Sequence, residues 1–308
     1  MLHMRESEMK FIDENSVRGL LEMKDLIPAM ASALRDLSSG KAVQPVRTIV
    51  LVPDHKGFLG SMPAYNDALG AKLVTFFPHN KGVHTHHGVI VLFRPETGEP
   101  IAVIDGRLIT EMRTAAVSAV ATDILARPDA SVLAILGSGV QAGSHLESIG
   151  LVRDLTDVRV WSPRNSRSFA AAHNDVRSVE TAEEAVRGAD IIVAATSSET
   201  PVLLGKWLSP GTHINAIGAN RPTWRELDDE ALASSKIFVE SRDAAMAESG
   251  DIIAAGSIFA EIGEIVGGRM PGREMADEIT LFKSLGAAVE DIAAADLVLK
   301  KSIERDEA

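Results

Sequence analysis

One stretch limits what this chain can become more than any other. Ala134-Ile135-Leu136-Gly137-Ser138-Gly139-Val140-Gln141-Ala142 runs an apolar strand directly into a Gly-x-Gly-x-x-Ala turn that opens a helix. Gly137 would allow the tight turn, Gly139 would let backbone approach a pyrophosphate, and Ala142 would let the helix pack closely on the strand. The helix N-terminal amides and dipole are then left to hold phosphates. An ordinary glycine turn is the bland alternative, and context weighs against it. Val132–Leu136, the glycine turn, a helix to about Val152 and a strand at Val158–Ser162 alternate, and further strands fit Ile191–Ala195, His213–Ile217 and Ile237–Val239. Alternation of this kind predicts an α/β fold with a parallel, doubly wound Rossmann sheet.

The rest of the chain reads differently. Val17, Leu20, Leu21, Leu26, Ile27, Met30, Leu34 and Leu37 suit two short amphipathic helices over 16–38, broken near Met23–Pro28. Short β-type runs follow at Thr48–Val52, Lys72–Phe77, Val89–Phe93 and Ile101–Ile104, which predicts an α+β domain. A helix over Thr110–Ala126, rich in small residues and stopped before Pro128, would connect the two domains. Helices at 243–255 and 286–303 flank the glycine-rich stretch Gly263–Gly272, which would cross back to the first domain. With 308 residues, two domains are expected: 1–115, completed by about 286–308, and 116–285.

Composition excludes several classes. A formal charge of −12 opposes general binding to nucleic acid or anionic lipid. The absence of cysteine removes disulfides, thiolate catalysis and Cys-ligated metals. No uncharged apolar run is long enough to span a membrane, and MLHMRESEMKF lacks a signal-peptide core, so a cytoplasmic location is expected.

Two groups of residues carry candidate chemistry. A typical NAD site ends its second strand in Asp or Glu, but here the strand runs Val160-Trp161-Ser162 into Pro163-Arg164-Asn165-Ser166-Arg167. Ser162 and Arg164 would accept a 2′-phosphate, so NADP(H) is favoured and NAD(H) remains possible, against the plainer reading of a solvated basic turn. Arg47, Lys72 and Arg113, the last in the first turn of the connector helix, are basic groups in an acidic protein. Singly each reads as a surface charge; converging, they would clamp a carboxylate. Lys72 heads an apolar strand, where desolvation would lower its pKa toward proton-transfer chemistry. His79, His84, His86 and His87 invite a metal reading. No metal is expected, because flanking carboxylates are missing and His86 and His87 would point to opposite strand faces; one of them lining the substrate site is preferred.

Six ordered segments together resemble the ornithine cyclodeaminase and mu-crystallin family. They are Gln44-Pro45-Val46-Arg47; Met62-Pro63-Ala64-Tyr65; Gly70-Ala71-Lys72 leading to Pro78-His79-Asn80; Asp105-Gly106 with Leu108-Ile109-Thr110 and Arg113-Thr114-Ala115-Ala116; the glycine turn; and Glu278 through Gly286. The resemblance implies a homodimer joined through the first domain, with a pyridine coenzyme on the Rossmann domain. It also implies that Arg47, Lys72, Arg113, Asn220 and Leu285 meet an amino- or imino-acid substrate, with Lys72 nearest the chemistry. Thr85, Arg113, Val140, Gln141, Thr196, Gly218 and Ser284 match positions that line the cofactor. The family's Gly-Asp pair, whose Asp assists loss of ammonia, is replaced here by Gly218-Ala219-Asn220, and Asn220 cannot act as a carboxylate base. The resemblance is therefore closer to the ketimine reductase branch. It implies reduction of a cyclic ketimine or 2-imino acid, with ornithine cyclodeaminase or alanine dehydrogenase activity as alternatives and a non-enzymatic ligand carrier as a further one.

Overall fold

The computed structural model describes residues 9–307; the first eight residues, on which the leader-free reading partly rests, lie outside them. Two compact units emerge, one made of residues up to Arg113 and from Ala287 onward, the other of Thr114–Gly286. The first contains β1 (Lys10–Ile12), α1 (Glu14–Leu20), α2 (Met23–Ser38), β2 (Thr48–Val52), β3 (Gly57–Asn66), β4 (Ala68–Phe76), β5 (His86–Phe93) and β6 (Pro100–Asp105). Helix α3 (Arg107–Leu125) begins there and ends in the second unit. The second holds β7 (Val132–Leu136), α4 (Val140–Gly150), β8 (Asp157–Trp161), α5 (Ser166–Ala172), β9 (Val176–Ser178), α6 (Ala182–Val186), β10 (Ile191–Ala194) and β11 (His213–Ala216). It continues through α7 (Asp229–Ala233), β12 (Ser235–Val239), α8 (Arg242–Glu248), α9 (Gly250–Ala255), β13 (Ala260–Glu261), α10 (Ile262–Val266) and β14 (Ile279–Lys283). Helix α11 (Ala288–Glu307) returns to the first unit.

In the first unit the described strands order as β1-β6-β5-β4-β3-β2, antiparallel except for the β1–β6 pair. Helices α1, α2 and α11 pack together with this sheet. Helix α2 buries Met23, Leu26, Met30, Ala33 and Leu34 at three- and four-residue steps, the spacing of one helical face. Strand alternation decides what the helices cover. Along β3 and β4, Gly60, Met62, Ala64, Gly70, Lys72 and Val74 are buried, whereas Leu59, Tyr65 and Leu73 on the opposite face are exposed.

Three local expectations need correction. The helix break falls at Leu21-Glu22, both extended, and Pro28 sits inside α2. Its missing N–H forfeits one bond near the helix start, which burial of the apolar face outweighs. The longest strand of the first sheet, β3, reads locally as loop because of Gly57, Gly60 and Pro63. Pro63 is tolerated because β2 pairs with β3 only as far as Ser61, so one side of the strand is open at the proline. Arg113 is the seventh residue of α3, a full turn deeper than expected, since the helix starts at Arg107, whose N–H donates to Asp105 Oδ1 at 2.9 Å.

The second unit is a parallel sheet ordered β13-β12-β14-β11-β10-β7-β8-β9. Strand order reverses between β7 and β10, the switch point at which open α/β sheets take ligands. Ala142, Leu133, Ile135, Ile149, Val158 and Val160 share one core. The small face of α3 meets α4 closely: Ser148 Oγ donates to the Ala115 carbonyl at 2.9 Å, and His145 Nε2 lies 2.9 Å from Ser118 Oγ. No described helix is long and apolar enough to cross a membrane.

Candidate active site

Lys72 lies on the helix-covered face of β4, opposite the buried Met62 and Ile90 of the neighbouring strands, and is 1% exposed. An ammonium cannot stay there unpaired. Its Nζ is 2.6 Å from Asp291 Oδ2, on the first turn of α11, and 3.4 Å from Thr110 Oγ1. Arg113 is buried against the same turn, donating from Nε to Asp291 Oδ1 at 3.0 Å and from Nη1 to Glu290 Oε2 at 2.7 Å. The sequence permits this approach through Gly70, where a Cβ would stand 2.8 Å from Ile292 Cδ1 and 2.7 Å from the Val91 carbonyl. Only a residue without a side chain lets α11 come down onto β4 beside Lys72.

Burial lowers the Lys72 pKa; Asp291 raises it, Arg113 and Arg47 lower it further, and the balance is about 8. Burial would raise that of Asp291, but Arg113 and Lys72 outweigh burial and hold it down. His86, at the start of β5, is pushed down to about 4 by burial, then by Lys72 and Arg113, against a rise from Asp291 and with a small lowering from His87. The cluster therefore gathers Lys72, Arg113, Arg47, Asp291, Glu290 and a neutral His86. The three basic residues singled out from the sequence do converge. Among the described residues no group of three His, Cys, Asp or Glu is placed to hold a metal. Thr85 is exposed just before β5, its carbonyl accepting from Phe77 N–H at 2.8 Å.

In the second unit, Gly137 has φ +118°, and a Cβ there would collide with the Ala195 carbonyl. Gly139 caps α4 with open space where a Cβ would stand, Val140 is exposed, and Gln141 Oε1 is buried without a partner. Open backbone at a helix N-terminus fits a dinucleotide pyrophosphate. Ser138 Oγ and Ser162 Oγ lie 2.8 Å apart, joining the glycine turn to the end of β8, while Arg164 is exposed and Arg167 is paired with Glu180 at 2.8 Å.

The remaining cofactor candidates sit at the C-terminal ends of strands, tied down by carboxylates that sequence reasoning missed. Glu226 Oε1 accepts from the N–H and hydroxyl of Thr196 at 2.7 and 2.6 Å. Its pKa is raised by burial to about 7, against the lowering effects of Lys283 and Thr196. Gly218 can carry no side chain, because a Cβ would strike the Thr196 carbonyl and the Glu226 carboxyl, and its own carbonyl accepts from Lys283. Lys283 also lies 3.3 Å from Asp251. Glu240 holds the end of β14: it accepts from Ser284 Oγ at 2.6 Å, Leu285 N–H at 2.7 Å and Gly286 N–H at 3.1 Å. Ala219 is left-handed at φ +49° and 1% exposed, and Asn220 follows it, exposed. No single-sequence signal marks Glu226 or Glu240, which read as ordinary surface acids. Asp291 does leave one: Glu290-Asp291 is an adjacent acid pair in an otherwise apolar, alanine-rich helix start.

The sequence profile of the ornithine cyclodeaminase/mu-crystallin family matches residues 7–306. The chain is 47% identical over 301 residues to a ketimine reductase mu-crystallin of Rattus norvegicus, covering 94% of this chain and 96% of that protein. It is similar to the solved structure of Thermococcus litoralis Delta(1)-pyrroline-2-carboxylate reductase in complex with NADH and L-proline, with TM-score 0.94, 40% identity and 97% and 98% of the two chains covered. An archaeal alanine dehydrogenase dimer with bound NAD superposes with TM-score 0.92 at 34% identity, over 97% of each chain.

Proposed function

Because this chain belongs to the ornithine cyclodeaminase/mu-crystallin family, we propose that it is an NAD(P)H-dependent reductase converting a cyclic ketimine or 2-imino acid, such as a pyrroline- or piperideine-2-carboxylate, to the amino acid. The observation that carries the reading is the buried Lys72 flanked by Arg113 and within electrostatic reach of Arg47. The cations Lys72, Arg113 and Arg47, gathered at one buried place, suit a substrate carboxylate. Arg47 and Arg113 orient that carboxylate, and Leu285 and Asn220 contribute to the substrate site. A lysine with a pKa of about 8 is mostly protonated at neutral pH yet gives up its proton readily, the condition for a general acid toward an imine nitrogen. A bound nicotinamide supplies the hydride. Gly137, Gly139, Val140 and Gln141 hold its pyrophosphate, and Thr85, Arg113, Thr196, Gly218 and Ser284 line the rest of the cofactor. Ser162 and Arg164, with no acid at the end of β8, favour NADP(H), while the neighbours named above hold NADH and NAD.

Residues 1–115 with about 286–308 serve as the substrate-binding and dimerisation domain, and 116–285 as the coenzyme domain. The apolar sheet face bearing Leu59, Tyr65 and Leu73 is the surface for a homodimer. The reading is tested by following NADH and NADPH oxidation with pyrroline-2-carboxylate, and with pyruvate plus ammonia, beside ammonia release from ornithine. Coenzyme oxidation with a cyclic imine supports it. Ammonia from ornithine without net coenzyme change would make the chain a cyclodeaminase, and no turnover on any of these substrates would leave a carrier.

A further inference from the structure

We propose that Asp291 is the positioning residue of this site: its one carboxylate holds the Lys72 ammonium on Oδ2 and the Arg113 guanidinium on Oδ1, tying the proton donor to the anion-binding arm. The inference rests on the reductase reading above. Its geometry is unusually one-sided. Lys72 meets apolar neighbours on both flanking strands, Met62 and Ile90, and two guanidiniums, Arg113 from α3 and Arg47 from the segment before β2. His86 faces the same cluster from β5 with His87 beside it, and Glu290 of α11 is engaged by Arg113 Nη1. Thr110 of α3 offers only a hydroxyl, at 3.4 Å. Asp291, 0% exposed, is thus the one anion in direct contact with Nζ among the described residues.

Removing that charge would leave an amine facing desolvation and two cations, all of which favour the neutral form. A neutral amine has no proton to give. With Asp291 in place, the Nζ–H bond breaks as an N–H bond forms on the imine nitrogen, and the electron pair stays on Nζ. Lys72 then rests as a neutral amine beside the carboxylate until solvent returns a proton. The same carboxylate fixes Nε of Arg113, so donor and clamp keep one spacing.

The test is Asp291→Asn, which keeps shape and removes charge, with Asp291→Glu as the charge-retaining comparison. For wild-type protein, kcat/KM for the imino acid is expected to fall as pH rises through about 8. In Asp291→Asn that limb should move at least about one unit toward acid, because an opposite charge in contact is worth roughly 1–3 units. Asp291→Glu should restore most of the shift. An unmoved limb in folded Asp291→Asn overturns the proposal. Should that variant not fold, a 15N-lysine titration of Lys72 in the unaltered protein decides: an ammonium titrating near 8 supports the proposal, and an amine neutral throughout pH 6–9, a range of about three units, refutes it. If the protein reduces no imine at all, the reductase reading fails, and the same titration still judges Asp291.

Discussion

The residue scale holds the sharpest contrast between what can be read and what cannot. Arg47, Lys72 and Arg113 stand out in the sequence because cations placed beside apolar runs in an acidic chain need a reason. Their partners do not stand out, since Asp291 is 219 positions from Lys72 and only folding brings the two within 2.6 Å. Replacing Lys72 by Met removes the proton donor and is expected to cut kcat by about 10²-fold or more while leaving the NADH dissociation constant near wild type. Steady-state kinetics beside a fluorescence titration of NADH measures both, and normal turnover would remove Lys72 from the mechanism. Arg164→Ala is expected to weaken NADPH by roughly tenfold and NADH little, the loss of one charge-assisted phosphate contact at an exposed position. Equal effects on the two coenzymes would reduce Arg164 to a solvated turn residue.

At the scale of elements, periodicity and glycine placement explain both what was legible and what was not. Strands β7, β8, β10, β11 and β12 are visible because each carries a short cluster of apolar, mostly β-branched residues ending at a turn. Strand β14 is not, although it lies between β11 and β12 in the sheet: Ile279-Thr280-Leu281-Phe282-Lys283 ends in a lysine that is buried only because Asp251 and the Gly218 carbonyl receive it. Gly70→Ala forces α11 away from β4 and is expected to destabilise the protein by about 1–3 kcal/mol, the cost of overpacking a close contact. Denaturant midpoints measure this, and an unchanged midpoint would mean that the helix moves away freely. Gly137→Ala meets both a positive φ and the Ala195 carbonyl, so coenzyme affinity should fall before the Lys72 site is affected.

For the whole molecule, buried titrating groups set the pH response. His145 and His213 are held near 4 and 3 by burial, against an ordinary value of 6.5. The unfolded chain takes up protons there as pH falls from 6.5 and the folded chain does not, so stability present above 6.5 is lost toward pH 4. Burial holds Glu226 near 7 instead of 4.5, so the folded chain keeps a proton that the unfolded one releases, a contribution of opposite sign between pH 4.5 and 7. Two imidazoles, joined by His86 at about 4, outweigh one carboxyl, and Tm should fall as pH drops from 6.5 to 4.5. Calorimetry across that range would show a flat Tm if these groups were not held as described.

The exposed face of Leu59, Tyr65 and Leu73 carries a second expectation at this scale. Light scattering should give twice the chain mass, and Leu73→Glu should return it toward one.

Reduction of the imine carbon leaves an isotopic record in the product. With pyrroline-2-carboxylate and coenzyme deuterated at the hydride position of the reduced nicotinamide, the proline formed should carry deuterium at Cα, one atom for each coenzyme oxidised. Proline free of deuterium, or coenzyme left reduced while the imine persists, would contradict it.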